Sequence, residues 1–383
     1  MSLAFVIDRK LLADELAIIC RAIEGKTTIP VLTHVVIEGL ENGTIKLTGT
    51  NLDIGMTSII HPLKLATTGA ITLPGRTLLN TLRKLPGTNV AFLEQEEFKT
   101  ALICDQATVT LNGMSRESFP ELPVCTTPAV LAVYSTDLLR LISRTRYAIC
   151  KEESRFTLNG ALIESNGTTR MITTDGHRLV FAEVPIRARK DFKALIPAMA
   201  LDLLPVFAGK ARRIIALSMD EDYLFFTVDD RQLLARKLKG NFPDYERVLP
   251  KNHTETVLVP RLATRQVVER AKLFADERSH AIKLHLEAGK LTVTSSTVDH
   301  GDFVESLAVE YRGDHRDIGF DADYLTDFLS VDFGDLVAIS AGKPEFQEDG
   351  VTVKSEGSWL LRPADPVADA MDYRYVLMPL RIN

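Results

Sequence analysis

Cysteine is scarce in this 383-residue chain, and Cys20, Cys104, Cys125 and Cys150 are far apart, with no CxxC pair. This spacing argues against a zinc site of the usual kind and gives no disulfide signature. No run approaches the roughly 18 apolar residues that a membrane span needs. The stretch before Asp8 is too short for the apolar region of a signal peptide. We therefore expect a reduced, cytoplasmic protein that does not bind membranes.

The motifs that commonly hold cofactors or carry out catalysis are missing as well. The sequence contains neither GxxxxGKS/T nor GxGxxG, so neither of the common glycine-rich phosphate loops is indicated. It also lacks HExxH and GxSxG, and its eight histidines include no i, i+4 pair that would place two metal ligands on one helix face. The sequence thus predicts no cofactor, no metal site and no catalytic residue.

Positive charge is not in excess, because 45 Lys and Arg stand against 51 Asp and Glu and give a formal net charge of -6. An acidic protein is a poor candidate for DNA binding, since clustered Lys and Arg make the phosphate contacts. Local basic segments do occur, and they hold Arg76, Arg83 and Lys84 (73–85), Arg140, Arg144, Arg146 and Lys151 (136–151), and Arg261, Arg265, Arg270 and Lys272. The alternative is that these are ordinary solvated helix faces.

One order of predicted elements occurs three times along the chain. Each pass has a helix, a hairpin that turns at a glycine, and a second helix, and the glycines are Gly43, Gly167 and Gly289. These glycines are 124 and 122 residues apart, and the Phe-Pro pairs that begin at Phe119 and Phe242 are 123 apart. We therefore predict an α+β fold of three repeated domains, 1–126, 127–253 and 254–383.

The predicted helices begin at residues that suit a first helical turn. Asp8 and Ser135 can accept hydrogen bonds from the unpaired N–H groups of that turn. Prolines precede three other helices, at Pro74, Pro197 and Pro260, where a missing N–H does no harm. Apolar residues at helical spacing follow each start, and Gly25 is expected to end the first helix.

The phrase closest to a catalytic motif is Thr174-Asp175-Gly176-His177-Arg178, where a carboxylate, an imidazole and a guanidinium lie within four residues. Adjacent residues of an extended segment point to opposite faces, so these groups need not converge. Two alternatives stay open at this point. One is an enzyme that uses Asp175 and His177 on a small substrate, and the other is a repetitive scaffold that binds proteins but never DNA. Neither explains the basic segments.

Longer phrases complete the pattern: TIPVL at 28–32, LTGTNL at 47–52, TDGHRL at 174–179, GNFPDYERVLP at 240–250 and YVLMPLR at 375–381. Through them the whole chain resembles the bacterial DNA polymerase III beta-subunit family, the replicative sliding clamps. The resemblance implies three clamp domains per chain and a head-to-tail ring of two chains, with inner helices and outer antiparallel sheets. It also implies a non-catalytic processivity factor that encircles duplex DNA and slides without sequence preference.

In that family, partner proteins insert a short apolar peptide into a cleft between the second and third domains. Carried over to this chain, the cleft residues are Leu158, Thr174, Gly176, His177, Arg178, Leu179, Pro243, Arg247, Val248, Tyr324, Val376, Leu377, Met378, Pro379, Leu380 and Arg381. We expect the aliphatic members and Met378 to form an adaptable floor, and Arg178 and Arg247 to meet polar groups at the rim.

The resemblance also implies contacts with DNA and between subunits. Lys26 matches a DNA-contacting position, and with the basic segments the predicted DNA-binding set is Lys26, Arg76, Arg83, Lys84, Arg140, Arg144, Lys151 and Arg155. The subunit contact would join Val109 and Leu111 on an edge strand of one copy to Leu273 and Phe274 of the other. This contact joins two different surfaces, so it must close into a ring.

The implied partners are double-stranded DNA, a second copy of the chain, the clamp loader, the replicative polymerase alpha subunit, other clamp-binding polymerases, ligase and mismatch-repair proteins. Three positions depart from the family pattern. Ser279 replaces an aromatic residue that borders the cleft, Asp321 replaces an asparagine, and Pro197-Ala198-Met199 replaces a basic Pro-Arg-Lys phrase. We expect these changes to alter partner affinity and the charge of the DNA-facing surface.

Overall fold

The computed structural model of the protein describes residues 2–250, 253–342, 345–346, 353–355, 357–365 and 371–381. The α-helices within these residues are α1 (Arg9–Ile19), α2 (Gly75–Lys84), α3 (Ser135–Thr145), α4 (Ala198–Ala208), α5 (Arg261–Lys272) and α6 (Ala322–Ser330). The strands are β1 (Ala4–Asp8), β2 (His34–Gly39), β3 (Ile45–Thr50), β4 (Ile54–Ile60), β5 (Lys64–Thr67), β6 (Gly69–Pro74), β7 (Asn89–Glu94), β8 (Lys99–Cys104), β9 (Ala107–Asn112), β10 (Leu131–Tyr134), β11 (Gly160–Asn166), β12 (Thr168–Thr174), β13 (Arg178–Val184), β14 (Phe192–Pro197), β15 (Ile214–Met219), β16 (Tyr223–Val228), β17 (Arg231–Arg236), β18 (His253–Pro260), β19 (Ala281–Glu287), β20 (Lys290–Thr297), β21 (Gly301–Ala308), β22 (Arg316–Asp321), β23 (Leu336–Gly342), β24 (Glu345–Phe346), β25 (Val353–Ser355), β26 (Trp359–Pro363) and β27 (Asp372–Leu377).

The chain divides into two compact units, and neither is continuous in sequence. The first consists of residues 1–139 and 196–237, and the second of residues 140–195 and 238–383. The first unit has a five-stranded sheet, β5-β1-β7-β8-β9, and an eight-stranded sheet, β10-β15-β16-β17-β4-β3-β2-β6. The second has an eight-stranded sheet, β14-β11-β12-β13-β27-β26-β23-β18, and a four-stranded sheet, β21-β20-β19-β22. A short β24-β25 pair is also present.

In each unit, strands that are far apart in sequence join to make one long sheet. In the first unit β17 pairs antiparallel with β4, and Arg231 lies opposite Ser58. In the second β13 pairs antiparallel with β27, and Leu179 lies opposite Val376. We call these the β4–β17 junction and the β13–β27 junction. At each of them, part of the predicted central domain completes a sheet begun by another domain.

The local sequence signals identify the hairpins and most helix starts. Gly43, Gly167 and Gly289 have φ values of 84°, 85° and 75°, the left-handed region that their tight turns require. Asp8 caps α1 by accepting a hydrogen bond from the Leu11 backbone N–H at 2.7 Å. Pro74, Pro197 and Pro260 each directly precede the first residue of a helix. These predictions are confirmed.

Two predicted helix boundaries are wrong. The first helix ends at Ile19 and does not extend to Gly25 as expected. The N–H groups of Arg21 and Ala22 donate to the carbonyls of Ile18 and Ile19, three residues back, which is the pattern of a turn. Ser135 is the first residue of α3 and does not cap it. Its hydroxyl donates to the carbonyl of Ala211 at 3.3 Å and accepts from the N–H of Arg213 at 3.1 Å.

The apolar stripes of the helices pack on the sheets of their own unit. In the first unit the buried helical residues include Leu12, Leu16, Leu78, Leu82, Leu203, Leu204 and Phe207, and in the second Val267, Val268, Leu325, Phe328 and Leu329. The two Phe-Pro repeats have the same role in different cores. Phe119 packs with Val31 and Val36 in the first unit, and Phe242 packs with Leu179 and Phe181 in the second.

Candidate functional site

The turn between β12 and β13 brings Asp175 and Arg178 together. Both Asp175 oxygens are used there: Oδ1 accepts from the backbone N–H groups of His177 (3.0 Å) and Arg178 (3.1 Å), and Oδ2 accepts from Arg178 Nε at 2.9 Å. Gly176, with a φ of 92°, allows this turn. The expectation that these groups need not converge treated the segment as extended, and it fails for Asp175 and Arg178 because the segment is a turn.

Arg178 is the central charged group of the β13–β27 junction, and it is only 8% exposed. Its Nη1 donates to Asp327 of α6 at 2.7 Å, and its Nη2 donates to the carbonyl of Tyr147 at 2.9 Å. The guanidinium lies 4.2 Å from the ring centre of Tyr324. Burial alone would lower the pKa of Arg178, but the nearby Tyr375, Asp327 and Asp175 oxygens raise it overall. The guanidinium is therefore a fixed, permanently charged element of the site.

Three further tyrosines, Tyr147, Tyr373 and Tyr375, lie around Arg178, and they are not among the cleft residues predicted from the sequence. Tyr147 and Tyr373 are joined through their hydroxyls, and the Tyr375 hydroxyl donates to the carbonyl of Tyr324 at 2.8 Å. Burial raises the pKa of Tyr147, Tyr373 and Tyr375, so all three stay neutral near pH 7. Their hydroxyls satisfy one another or the backbone, and the rings make a rigid wall behind the guanidinium.

Several predicted cleft residues meet around this wall. Leu179 and Val376 belong to one buried apolar cluster, and half-buried Leu158 packs against it. His177 stacks on Tyr324 with ring centres 6.3 Å apart, and its carbonyl accepts a hydrogen bond from the Met378 N–H at 3.1 Å. The Thr174 hydroxyl donates to the carbonyl of Arg178 at 2.6 Å, which fixes the base of the turn.

Exposure separates the residues that a ligand can touch from those that support the site. Val248 is 39% exposed and Met378 is 44% exposed, whereas Leu179 is 3% exposed and Leu377 is fully buried. The exposed apolar surface is thus smaller than the predicted floor. Pro243 and Arg247 are exposed, and Arg247 pairs with Asp244 at 2.8 Å.

The tail that follows β27 contributes its backbone as well as its side chains. The Leu380 N–H donates to the carbonyl of Gly319 at 2.8 Å, which attaches the tail to β22. Pro379 and Leu380 are half-buried, and Arg381 is exposed. The tail beyond Met378 is therefore held against the four-stranded sheet of the second unit.

Two of the three departures from the family pattern, Ser279 and Asp321, make local hydrogen bonds. The Ser279 hydroxyl donates to Asp276 Oδ1 at 3.0 Å, and Asp321 caps α6 by accepting from the N–H groups of Asp323 (2.8 Å) and Tyr324 (3.2 Å). Burial raises the pKa of Asp321. Asp321, Asp323 and His280 have their ligand atoms within 4.8 Å of one another. Asp323 is already paired with Lys272 and His280, so this group is an ion-pair cluster at the start of α6.

In the first unit, basic residues of α2 face a groove beside α1. Arg76 and Arg83, together with Arg21, line this groove, whose volume is about 390 Å³. Burial raises the pKa of Cys20, beneath them, to about 11, so its thiol adds no negative charge near neutral pH. Lys26 and Lys84 are also exposed. Four of the predicted DNA-binding residues therefore present charge to solvent in this unit.

The predicted basic residues of the second unit are less uniform. Lys151 is exposed, Arg140 is half-buried, and Arg155 is exposed, with its Nη1 donating to the carbonyl of Asp175 at 3.0 Å. Arg144 is only 9% exposed, donates to the carbonyl of Asp332 at 3.2 Å, and lies 5.2 Å from the ring centre of Phe333. Arg144 therefore presents little charge to solvent, because its guanidinium packs inside the unit.

The third basic segment is neutralised by neighbouring acids. Arg265 pairs with Glu269 at 2.8 Å, Arg270 pairs with Glu305 at 2.6 Å, and Lys272 pairs with Asp323. Arg261 is buried and donates to the carbonyls of Gly334 (2.7 Å) and Leu329 (3.1 Å). The surface of α5 is thus less positive than the number of its basic residues suggests.

The residues predicted to join subunits lie at or beside sheet edges. The strand β9, which carries Val109 and Leu111, is an edge of the five-stranded sheet, and β21 is an edge of the four-stranded sheet. Leu273 is 70% exposed at the end of α5. Phe274 stacks on Phe303 of β21 with ring centres 5.9 Å apart. Each unit therefore has an open strand edge with apolar residues on or beside it.

Across the described residues, no helix is both long and apolar enough to cross a membrane.

Comparisons with known proteins cover nearly the whole chain. Models of the N-terminal, central and C-terminal domains of the DNA polymerase III beta subunit match residues 3–123, 132–244 and 246–340. The Beta sliding clamp of Pseudomonas putida is 28% identical over 381 residues, covering 99% of this chain and 100% of that protein. A Pseudomonas aeruginosa sliding clamp bound to griselimycin is 27% identical with a TM-score of 0.89, covering 100% of both chains. The Bacillus subtilis clamp, 23% identical, has a TM-score of 0.90 with 100% of both chains covered and shows the shared fold.

Proposed function

This chain belongs to the bacterial DNA polymerase III beta-subunit family, the sliding clamps, and on that premise we propose how its surfaces divide the work of the clamp. The family assignment is carried by three consecutive beta-subunit domains along one chain. The protein is a processivity factor: it holds a polymerase near its template by encircling the DNA. Tethering raises the effective concentration of the polymerase, so each contact with the clamp can be weak. The domain limits 1–126, 127–253 and 254–383 stay a prediction.

Ring closure would use the two open sheet edges. Val109 and Leu111 on β9 of one copy would meet Leu273 and Phe274 of the second copy, and the same contact would repeat on the other side. What supports this is the pairing of an unpaired strand edge with an exposed apolar residue, Leu273. A heterologous contact of this kind yields a closed ring only when two copies form the same contact at both of their interfaces.

DNA would be held by charge alone. Lys26, Arg76, Arg83 and Lys84 are exposed in the first unit, and Arg140, Lys151 and Arg155 would add to them. The overall charge of -6 keeps the rest of the surface from adhering to DNA. We expect contact with phosphates without base reading, so substitutions here would weaken binding and reduce its salt dependence at every sequence equally.

Partners would bind at the β13–β27 junction. Val248 and Met378 supply the exposed apolar surface, His177 and Tyr324 an aromatic side, and Arg247 a charge at the rim. An extended apolar peptide suits such a surface, because Met adapts its shape and the buried leucines beneath hold the floor rigid. The polymerase alpha subunit, the clamp loader and other polymerases, ligase and mismatch-repair proteins are the proposed users of this cleft.

Retention on DNA circles tests the proposal. Protein loaded by its clamp loader onto a nicked circle should stay bound in high salt and slide off once the circle is cut open. Native mass should be about twice 42.5 kDa. Leu273→Asp should remove both properties, whereas Leu63→Asp, at another exposed leucine away from the proposed contact, should keep them. Equal retention on circular and linear DNA would contradict the proposal.

The geometry around Asp175 supports a binding surface over the enzyme alternative. Its two carboxylate oxygens are engaged by backbone N–H groups and by Arg178, so the carboxylate supports a turn. The same circle assay distinguishes a clamp from the scaffold alternative, because a protein that never binds DNA would not be retained on circular or on linear DNA.

A further inference from the structure

The second unit contains a pocket of about 710 Å³ that none of the predicted cleft residues lines. It lies on one face of the eight-stranded sheet, over β13, β27 and β26, and the segment 245–250 covers one side. Buried Phe181 and Leu360 belong to its lining, together with Tyr245 and Leu249. A pocket of this volume falls in the range that holds small ligands or short peptide segments.

The pocket and the cleft share one sheet face. Alternate residues of a strand point to the same side, so Leu179 and Phe181 of β13 share a face, as do Val376 and Arg374 of the paired strand β27. Leu179 and Val376 belong to the predicted cleft, whereas Phe181 and Arg374 line the pocket. One buried apolar cluster contains Leu179, Val376 and Phe181, so the two regions have a common floor.

The separation suits a single bound chain. Glu183 lines the far part of the pocket, four residues along β13 from Leu179. At the rise of a β-strand this is roughly 13 Å, which an extended peptide covers in about four residues. A partner that places its apolar motif in the cleft can therefore reach the pocket with the residues directly next to that motif.

Most charges in the pocket are already paired. Arg170 lies 2.8 Å from Glu183, and Arg374 pairs with Asp372 at 2.5 Å while covering the ring of Phe181. The pocket thus has a set of internal ion pairs on an aromatic floor. These pairs hold two of its guanidinium groups and two of its carboxylates in place.

Tyr245 is fixed in the same way. Its hydroxyl donates to Glu164, and Arg170 Nη1 lies 3.2 Å from that hydroxyl oxygen. Burial and the Glu164 contact raise the pKa of Tyr245 to about 12, so it stays neutral. This side of the pocket offers an aromatic surface and no additional charge.

Arg362 differs from the other charges of the pocket. It is exposed on β26, lines the pocket, and has no ion-pair partner among the residues that the structure describes. Glu246, the remaining acid of the lining, is 3.9 Å from Arg170. Arg362 is therefore the guanidinium of this lining that has no acid within ion-pair distance among the described residues, and beside the apolar floor it can bind a carboxylate with an aliphatic stem.

We infer that this pocket binds a carboxylate-bearing segment of a partner protein that lies next to the apolar peptide held in the cleft. The inference rests on the proposed function, since the cleft must bind the apolar peptide first. The carboxylate would pair with Arg362, and its methylene groups would lie against the apolar floor. A basic flanking segment is the competing occupant, because Glu246 is 70% exposed and 3.9 Å from Arg170; tighter binding of a Lys-extended than of an Asp-extended peptide to the unsubstituted protein would overturn the inference.

Peptides taken from the polymerase alpha subunit of the same organism provide the test. The probe is its apolar clamp-binding segment, extended by four residues that contain two Asp, or two Asn in the matched peptide. Extensions are made separately at each end, since the direction of the bound peptide is to be found. Binding of labelled peptide to the full-length protein is measured by fluorescence anisotropy at constant salt.

We expect one Asp-extended peptide to bind about three- to tenfold more tightly than its Asn match, as a charge-assisted contact predicts. Arg362→Gln should abolish that preference and leave the affinity of the unextended peptide unchanged. Arg312→Gln, the matched loss of an exposed arginine outside the pocket, should keep the preference. Arg362→Glu should instead favour a Lys-extended peptide.

Two negative results have different meanings. If the unextended peptide does not bind, the cleft assignment itself is wrong, and the inference falls with it. If that peptide binds but Asp and Asn extensions are equal at both ends, the cleft stands and the inference is overturned. A preference for Asp that survives Arg362→Gln would also overturn it, because the carboxylate would then be bound elsewhere.

Discussion

The β4–β17 and β13–β27 junctions have the same strand topology and different side chains. At the β4–β17 junction, Arg231 pairs with Glu15, and the Ser58 hydroxyl donates to the same carboxylate at 2.8 Å. The cavity beside it is small, about 290 Å³. At the β13–β27 junction, Arg178 is held by two acids, a carbonyl and aromatic rings, and the sheet face beyond it carries the pocket of about 710 Å³.

The difference shows that a continuous sheet can serve either to fix a fold or to support a binding surface. Glu15 and Arg231 neutralise each other in an ion pair, so neither charge is available to a ligand. Arg178 uses its donors on fixed partners too, but exposed Met378 directly follows β27, and exposed Val248 is next to Leu249, which packs on the apolar cluster beneath this junction. The residues around each junction, and not its topology, decide its role.

The largest effect is expected at the β4–β17 junction. Arg231→Met keeps much of the side-chain volume but leaves the Glu15 carboxylate buried with Ser58 alone. Breaking one side of a buried ion pair costs about 3–5 kcal/mol of unfolding free energy. Denaturation in urea, followed by circular dichroism, measures the change. The double variant Glu15→Leu with Arg231→Met should recover most of the loss, because no unpaired charge remains.

The control for this change is Lys10→Met, which removes an exposed i, i+4 partner of Asp14 on the same helix. Such a solvent-exposed pair contributes little to stability, because water and salt screen it. If Arg231→Met lowers the unfolding free energy no more than Lys10→Met does, the buried pair does not stabilise the β4–β17 junction. The proposed contrast between the two junctions is then wrong.

Sequence reasoning located local elements well, because their signals lie within a few residues. The glycine turns and the proline helix starts depend on backbone geometry that a short segment determines. The junctions could not be predicted in this way: Glu15 and Arg231, or Arg178 and Asp327, are far apart in sequence and meet only in the folded chain. The repeat spacing predicted three domains and the family resemblance implied their ring architecture, but neither supplied these pairs.

The candidate site was predicted in the same uneven way. Motif residues such as Thr174 and His177 lie together around the β12–β13 turn, and their place in a peptide cleft stays a prediction. Burial is not visible in the sequence: Leu179 and Leu377, predicted for the adaptable floor, are buried, and Arg144, predicted for DNA binding, is 9% exposed. A residue's type gives its chemistry, whereas its exposure depends on which strands and helices cover it.

A smaller effect on stability, with a clear effect on binding, is expected at the β13–β27 junction. Met378→Asp places a charge on an exposed position, so its unfolding free energy should change by less than about 0.5 kcal/mol. The same charge in an apolar contact should weaken binding of the alpha-subunit peptide at least about tenfold, or 1.4 kcal/mol. Leu179 is unsuitable for this binding test, because it is 3% exposed and its replacement would disturb the core.

Val298→Asp is the matched control, because Val298 is fully exposed and lies outside the proposed cleft. It should leave both stability and peptide affinity unchanged. Equal affinities for Met378→Asp and Val298→Asp would remove Met378 from the cleft. A large loss of stability in Met378→Asp would instead make the β13–β27 junction as structural as the β4–β17 junction.

The smallest expected difference is a pH dependence next to α6. His280 contacts Asp323, which raises the pKa of His280, and Lys272 also pairs with Asp323. The protonated ring is thus stabilised in the folded state. Its contribution is fully present below the ordinary histidine pKa of about 6.5 and is lost as pH rises through the raised value.

His280→Gln should therefore cost more stability at pH 6 than at pH 8. The pair is more than a third exposed at Asp323, so solvent screening keeps the expected difference below about 0.5 kcal/mol. Urea midpoints at both pH values measure it, and exposed His300→Gln is the control. A loss that is equal at both pH values would mean that His280 acts through packing alone. In that case the ion pairs beside Tyr324 would not make the second junction sensitive to pH, and only its apolar surface would distinguish it from the first.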